Sequence, residues 1–118
     1  MGTYSLDAGR LNKRIAIWGY EQIENPLGGS KVTLKKKAEV WAEIHPVRGT
    51  EFLEYYRDSN ALQYKITIRY RSGITEKDVL VRGSHQFEIN SIIDIDFQHI
   101  ALEIYCTEMK DKVIPEEE

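Results

Sequence analysis

The sequence predicts a mainly β fold: a small antiparallel β-barrel or sandwich of about six strands, with one short helix or long loop between the second and third. Three observations predict it. Residues 64–71 alternate, with Tyr64, Ile66, Ile68 and Tyr70 pointing one way and Lys65, Thr67, Arg69 and Arg71 the other. Residues 40–45 do the same, with Val40, Ala42 and Ile44 opposite Trp41, Glu43 and His45. Successive side chains of a strand leave on opposite faces, so both stretches read as half-buried sheet. The third observation is punctuation: Asn25-Pro26-Leu27-Gly28-Gly29-Ser30, Ser72-Gly73-Ile74-Thr75 and Arg82-Gly83-Ser84 separate the apolar runs as turns. Closing such strands into a barrel removes the open edges they otherwise leave.

The elements follow in order. Residues 1–10 read as a flexible lead or a short helix. A first strand runs from Leu11 to about Tyr20, carried by Ile15 and Ile17. Pro26 fixes the backbone of the next loop and Gly28-Gly29 permit positive φ, so the first strand forms a long hairpin with a second, from about Val32 to His45. Pro46 ends that strand or confines it to an edge. From Gly49 to Ala61 the alternation stops. Phe52, Leu53, Tyr55 and Tyr56 recur at short spacing between Glu51, Glu54, Arg57 and Asp58, and Thr50 is placed to cap a short helix. An aromatic-rich loop fits the segment equally well. It is the one break long enough to carry function rather than merely connect. A third strand covers Leu62 to Tyr70 and a fourth Asp78 to Val81. The fifth runs from His85 to Ile93 with Phe87, Ile89 and Ser91 on one face. The sixth runs from His99 to Thr107 with Ile100, Leu102, Ile104 and Cys106 together.

The bulk properties narrow the function. A chain of 118 residues suits one domain with a modest core. We divide it into the lead 1–10, a barrel domain 11–108 and an acidic disordered tail 109–118. The net charge is −3, and three of the nineteen acids are the terminal Glu116, Glu117 and Glu118; the remaining acids match the sixteen lysines and arginines. A neutral body argues against a nucleic-acid binder held by bulk charge. No apolar run approaches the length of a membrane span, and the first residues lack the basic and apolar regions of a signal peptide, so the expected compartment is the cytoplasm of the producing cell. The single Cys106 sits in an apolar run and reads as a small core residue, with no internal disulfide partner.

Nothing in the chain reads as catalytic, and no cofactor or metal is expected. His45, His85 and His99 lie at strand ends and turns, without helical i, i+4 spacing. Asp94 and Asp96 would share one face of a strand, although a polar turn explains them better than a paired acid site. Gly28-Gly29 is a hairpin turn and not a phosphate loop. Two basic groups stand out: Lys35, Lys36 and Lys37, and Lys65, Arg69 and Arg71. Tyrosines and basic residues alternate along the third strand, so stacking and charge do not share a surface as a base-stacking barrel requires. A solvated face is the expected reading, and a basic face lining a wide channel that carries DNA without gripping it stays open.

The ordered set of pieces resembles the phage head–tail joining family, the head-closure, stopper or head-completion proteins of siphophage and myophage necks. The matching residues are Leu11-Asn12-Lys13-Arg14-Ile15-Ala16-Ile17, the Gly28-Gly29 hairpin, and Val40-Trp41-Ala42-Glu43-Ile44-His45-Pro46-Val47-Arg48-Gly49-Thr50-Glu51. Further on come Tyr64 to Arg71, Ile74-Thr75, and Phe87-Glu88-Ile89-Asn90-Ser91-Ile92-Ile93-Asp94. The match spans about residues 10–108; each motif alone is weak and their order is what is specific. The resemblance implies a small β-barrel without enzymatic activity. Copies of it would form a ring, closing the portal DNA channel after packaging and offering a platform for the tail. The implied partners are the portal and its head–tail adaptor, tail proteins, further copies of the chain (a lone chain being monomeric or not) and packaged DNA without sequence specificity. No membrane is involved, and the place is the virion neck, after the host cytoplasm. In relatives the segment between the second and third strands blocks the channel; here that is Arg48 to Leu62. Its expected working residues are Thr50, Glu51, Phe52, Glu54, Tyr55, Tyr56, Arg57 and Asp58. The alternative for the segment is a helix packing its aromatics on the barrel mouth. The expected DNA-facing or interface residues are Lys35, Lys36, Lys37, Lys65, Arg69 and Arg71. Two other readings stand beside this one: a tail-terminator or other neck ring protein, and a small β-barrel nucleic-acid-binding module.

Overall fold

The computed structural model describes residues 5–47 and 63–114 of the chain. A single 3-10 turn at Ala8–Arg10, capped by the Asp7 carboxylate accepting from the Gly9 amide at 3.0 Å, leads into the first strand. Six strands follow: β1 (Lys13–Glu24), β2 (Ser30–Pro46), β3 (Gln63–Arg69), β4 (Val79–Arg82), β5 (His85–Asp94) and β6 (Ala101–Glu108). They form a closed barrel in the order β1-β2-β3-β6-β5-β4, with every neighbouring pair antiparallel. The mainly β fold expected from the alternation is therefore observed, and it is the barrel that the resemblance implies rather than a sandwich.

The alternation becomes burial. Ile15 and Ile17 of β1, Ala42 of β2, Ile66 and Ile68 of β3, Leu80, Phe87, Ile89, Leu102, Ile104 and Cys106 meet inside the barrel, and Val40, Ile44 and Tyr64 pack against them. Trp41 stands outside with Arg14 over its ring at 5.3 Å. Burial pushes the Cys106 thiol up to about 12, so it is neutral and inert in the folded chain.

Three details refine the expected pattern. Within β5, Ile89 pairs with Cys106 and Ser91 with Tyr105, so Asn90 is an extra, bulged residue. The bulge resets the phase, and Ile92, not Ser91, turns toward the core opposite Ile104. Asp94 and Asp96 do not share a strand face, and the polar turn preferred for them is what the chain forms. β5 ends at Asp94, and Asp96 lies in a 3-10 turn at φ 55°, in the left-handed region with Phe97 and His99. That turn is held by Asp94, whose carboxylate accepts from the His99 amide at 3.0 Å and meets His99 Nδ1 at 2.5 Å. Thirdly, β1 runs past Tyr20 to Glu24, and β2 begins at Ser30, slightly before Val32. Beyond Gly19 of β1 and before Lys36 of β2 no residue of the two strands is fully buried, so no in–out pattern marks their outer parts.

This overhang has a geometric cause. β4 pairs only with Ala16–Trp18 of β1, and β3 only with Ala42–Pro46 of β2. Both partner strands are far shorter than the hairpin, so its outer part, about residues 19–35, projects from the wall as a two-stranded arm. The longest dimension of the molecule is 58 Å against 32 and 28 Å. At the arm's tip Gly28 and Gly29 take φ of 103° and 84°, as the turn requires, and Asn25 Oδ1 accepts from the Leu27 amide at 2.9 Å.

Candidate functional site

The antiparallel order sorts the connections onto two mouths. One mouth holds the end of β2 and the start of β3, the β4–β5 turn and the chain after β6. The opposite mouth holds the arm, the loop 70–78 and the turn 95–100. The segment 48–62, where Thr50, Glu51, Phe52, Glu54, Tyr55, Tyr56, Arg57 and Asp58 fall, lies outside the described residues. The choice between helix and loop falls with it. What is described is its stem.

The stem is pinned. The Val47 amide donates to the Gln63 carbonyl at 2.9 Å, so the two ends of the segment meet across a backbone hydrogen bond. Gln63 is buried, and its Oε1 accepts from Thr107 Oγ1 at 2.6 Å and from Asn90 Nδ2 at 3.4 Å; Asn90 also donates to Thr107 Oγ1 at 2.8 Å. The extra residue of the β5 bulge thus supplies the amide that ties three strands together beside the stem. Around the same mouth, Tyr64 packs edge-on to Phe87 with ring centroids 5.2 Å apart, and its hydroxyl donates to Glu108 at 3.3 Å. Partial burial, then the Glu108 carboxylate, hold the Tyr64 hydroxyl above its usual pKa. His85 Nδ1 lies 2.5 Å from the same carboxylate group. Across the barrel Glu43 meets Arg10 at 2.7 Å and His45 at 3.0 Å. Burial alone would raise Glu43, but the hydrogen bond from His45 and the Arg10 charge outweigh it and hold the carboxyl below the usual range.

Residues 109–114 run back over the outside of the barrel at this mouth. The Met109 amide donates to the Gln86 carbonyl at 2.8 Å. The Gln86 side chain, 1% exposed, accepts from the Val113 and Ile114 amides at 2.9 and 3.0 Å and donates to the Ile114 carbonyl at 2.5 Å. Ile114 is itself 3% exposed. It walls an outer groove of about 490 Å³ with Arg14, Trp18, Lys36, Glu39 and Val81. In that groove Lys36, then Arg14, hold the Glu39 carboxyl below its usual range. Gln86 occupies an outward position of β5 and in the sequence reads as solvated. Only the returning chain buries it, so no local signal marks it. Replacing Gln86 with alanine leaves two amides and a carbonyl without partners. We expect a loss of about 1–3 kcal/mol and faster hydrogen exchange at Val113 and Ile114. Unchanged exchange at both would show that Gln86 does not anchor this segment.

The six basic residues do not form one surface. A bulge in β2 at Lys37, between the pairs Ile17–Ala38 and Trp18–Lys36, swings the Lys37 ammonium onto buried Asp78 at 2.8 Å and the Gly73 carbonyl at 2.5 Å. Gly19 makes the space: a Cβ there would meet Lys37 Cδ at 2.6 Å. Lys36 pairs with Glu39, and Lys35 stands exposed on the arm. Arg71 shares a small depression with Lys37 at the arm's mouth, whereas Arg69 borders another with Leu11 and Trp41, and Lys65 is half-buried in β3. Among the described residues, no cluster of three His, Cys, Asp or Glu side chains is close enough to hold a metal, and no helix is long and apolar enough to cross a membrane.

Comparison with known proteins places this geometry. The sequence pattern of a family described as phage head completion protein matches residues 6–109. No curated protein matches the sequence. Among solved structures, protein SF1141 from Shigella flexneri 2a, a solution structure, superposes with a TM-score of 0.73 at 23% identity, covering 91% of this chain and 100% of that one. A chain from the virion of a native gene transfer agent particle superposes with a TM-score of 0.61 at 18% identity, covering 83% of this chain and 94% of that one. At these identities the two neighbours speak for the fold.

Proposed function

The chain belongs to the phage head completion protein family, and from that premise we propose that it is the head-closure protein of a phage or prophage neck. It acts without catalysis, by steric closure and by docking. Copies form a ring below the portal and its adaptor, the segment Arg48 to Leu62 narrows the DNA channel, and the ring receives the tail. The observation that carries this reading beyond the family match is the pinned stem, where Val47 and Gln63 meet at a barrel mouth beside the hydrogen-bonded Gln63–Asn90–Thr107 cluster. A loop whose ends are joined moves or blocks without loosening the sheet that carries it. Its composition suits the task, since Phe52, Tyr55 and Tyr56 bring bulk and Arg57 a phosphate partner. The dispersed cations suit a channel through which DNA slides rather than binds. A gene transfer agent virion holds a chain of the same fold, in keeping with a place in a particle's neck.

The test is co-sedimentation of the full chain with portal–adaptor connectors from the same genome, followed by electron microscopy. Ring density at the connector's open end is the expected result. Capping of isolated tail tubes instead would move the protein to the tail side of the neck, and binding to neither would overturn the reading.

A further inference from the structure

The projecting arm is incomplete by itself. Outside the barrel it is a ribbon of two strands, and such a ribbon is marginally stable in water until a third strand or a packing surface joins it. Most of its apolar side chains are bare: Tyr20 is 54% exposed, Ile23 48%, Val32 61% and Leu27 96%, with Leu34 half-buried among them. The register puts Tyr20 opposite Leu34 and Gln22 opposite Val32 on one face, and Glu21, Ile23, Lys31 and Lys35 on the other. Both outer edges are open among the described residues, because β4 stops at Trp18 and β3 begins pairing at Ala42.

The two edges carry opposite charge. The β1 side, Gly19–Glu24, holds Glu21 and Glu24 and no cation; the β2 side, Ser30–Lys36, holds Lys31, Lys35 and Lys36 and no acid. Glu21, Glu24, Lys31 and Lys35 make no ion pair among the described residues. Lysines along an open edge ordinarily prevent strands from adding to it. Here they repel another β2 edge but attract a β1 edge, and the acids of β1 repel their own kind. The surface is complementary to itself in one sense only, head to tail.

We infer that the arm is the contact between neighbouring copies of this chain: the β1 edge of one arm adds to the β2 edge of the next. Added strands gain backbone hydrogen bonds, as in other strand-addition complexes. Glu21 of one copy comes beside Lys31 and Lys35 of its neighbour, and the Tyr20–Leu34–Val32 faces join into one apolar stripe. A head-to-tail contact does not satisfy both edges in a dimer. It propagates, and it closes as a ring when the rotation per copy permits. The inference rests on the proposed ring and names the surface that makes it.

Sedimentation of the full chain over a range of concentrations tests this. The wild type should self-associate beyond a dimer. E21K should weaken association by about tenfold or more, as should K31E/K35E, since each puts like charges side by side. The triple variant E21K/K31E/K35E restores opposite signs and should recover association, which a merely misfolded variant does not do. Monomeric wild type, or failure of the triple variant to recover while its circular dichroism matches wild type, would falsify the arm contact. Connector capture without self-association overturns this inference alone, whereas arm-dependent self-association without connector capture overturns the head-closure role alone.

Discussion

Replacing Ile66 with alanine should cost about 3–4 kcal/mol of folding stability. Ile66 is fully buried at the centre of β3, in register with Ile44 of β2 on one side and Ile104 of β6 on the other. Those three side chains form one rung of the barrel interior. Removing the middle of the rung leaves a cavity that backbone movement fills poorly, because hydrogen-bonded strands on both flanks hold the register. The loss therefore includes the cavity as well as the transfer of the missing carbons. A domain of this size is stable by only about 5–15 kcal/mol, so the variant should lose a large share of its stability. Denaturant titration gives the number. A cost under about 1 kcal/mol would mean that the barrel interior collapses around the gap and that the core is looser than its burial implies. The exposed Trp41→Ala in the neighbouring strand serves as the contrast and should cost much less.

The second large effect concerns function. Deleting Glu51–Asn60 should leave the barrel folded and abolish DNA retention in filled heads. The physical ground is the stem. Val47 and Gln63 are already hydrogen-bonded, so the residues left between them need only make a short hairpin connection of ordinary length. Shortening a closed loop changes its closure entropy by well under about 1 kcal/mol per halving, and in the favourable direction. Urea unfolding of the isolated variant should therefore resemble wild type, while particles assembled with it should release nuclease-sensitive DNA. If the variant fails to fold, the segment is part of the core and not a closure. If it folds and heads still retain their DNA, closure belongs to another element of the neck.

The sequence by itself determined the strands that line the core, the turns between them and the mainly β class, whereas closure into a barrel rather than a sandwich shows only in the pairing of the strands. Alternation records burial on one face, and Ile15, Ile17, Ala42, Ile66, Ile68, Leu102 and Ile104 each sit where their neighbours' polarity said they would. Glycine-marked turns record conformations that few other residues adopt, as at Gly28 and Gly29. The tertiary structure decided whatever depended on a distant partner. Gln86 is polar in an outward position and becomes buried only because residues 113 and 114 return to it. Lys37 looks like one of three equal lysines until a bulge aims it at Asp78, far along the chain. The bulge at Asn90 reverses the facing of Ile92 without any change in composition. The arm exists because β3 and β4 are shorter than the strands they pair with, a mismatch that shows only once the sheet is assembled. Local pattern reports how a residue meets its own strand. Where a strand outruns its partner, or a side chain is covered by another part of the chain, the information lies in the pairing.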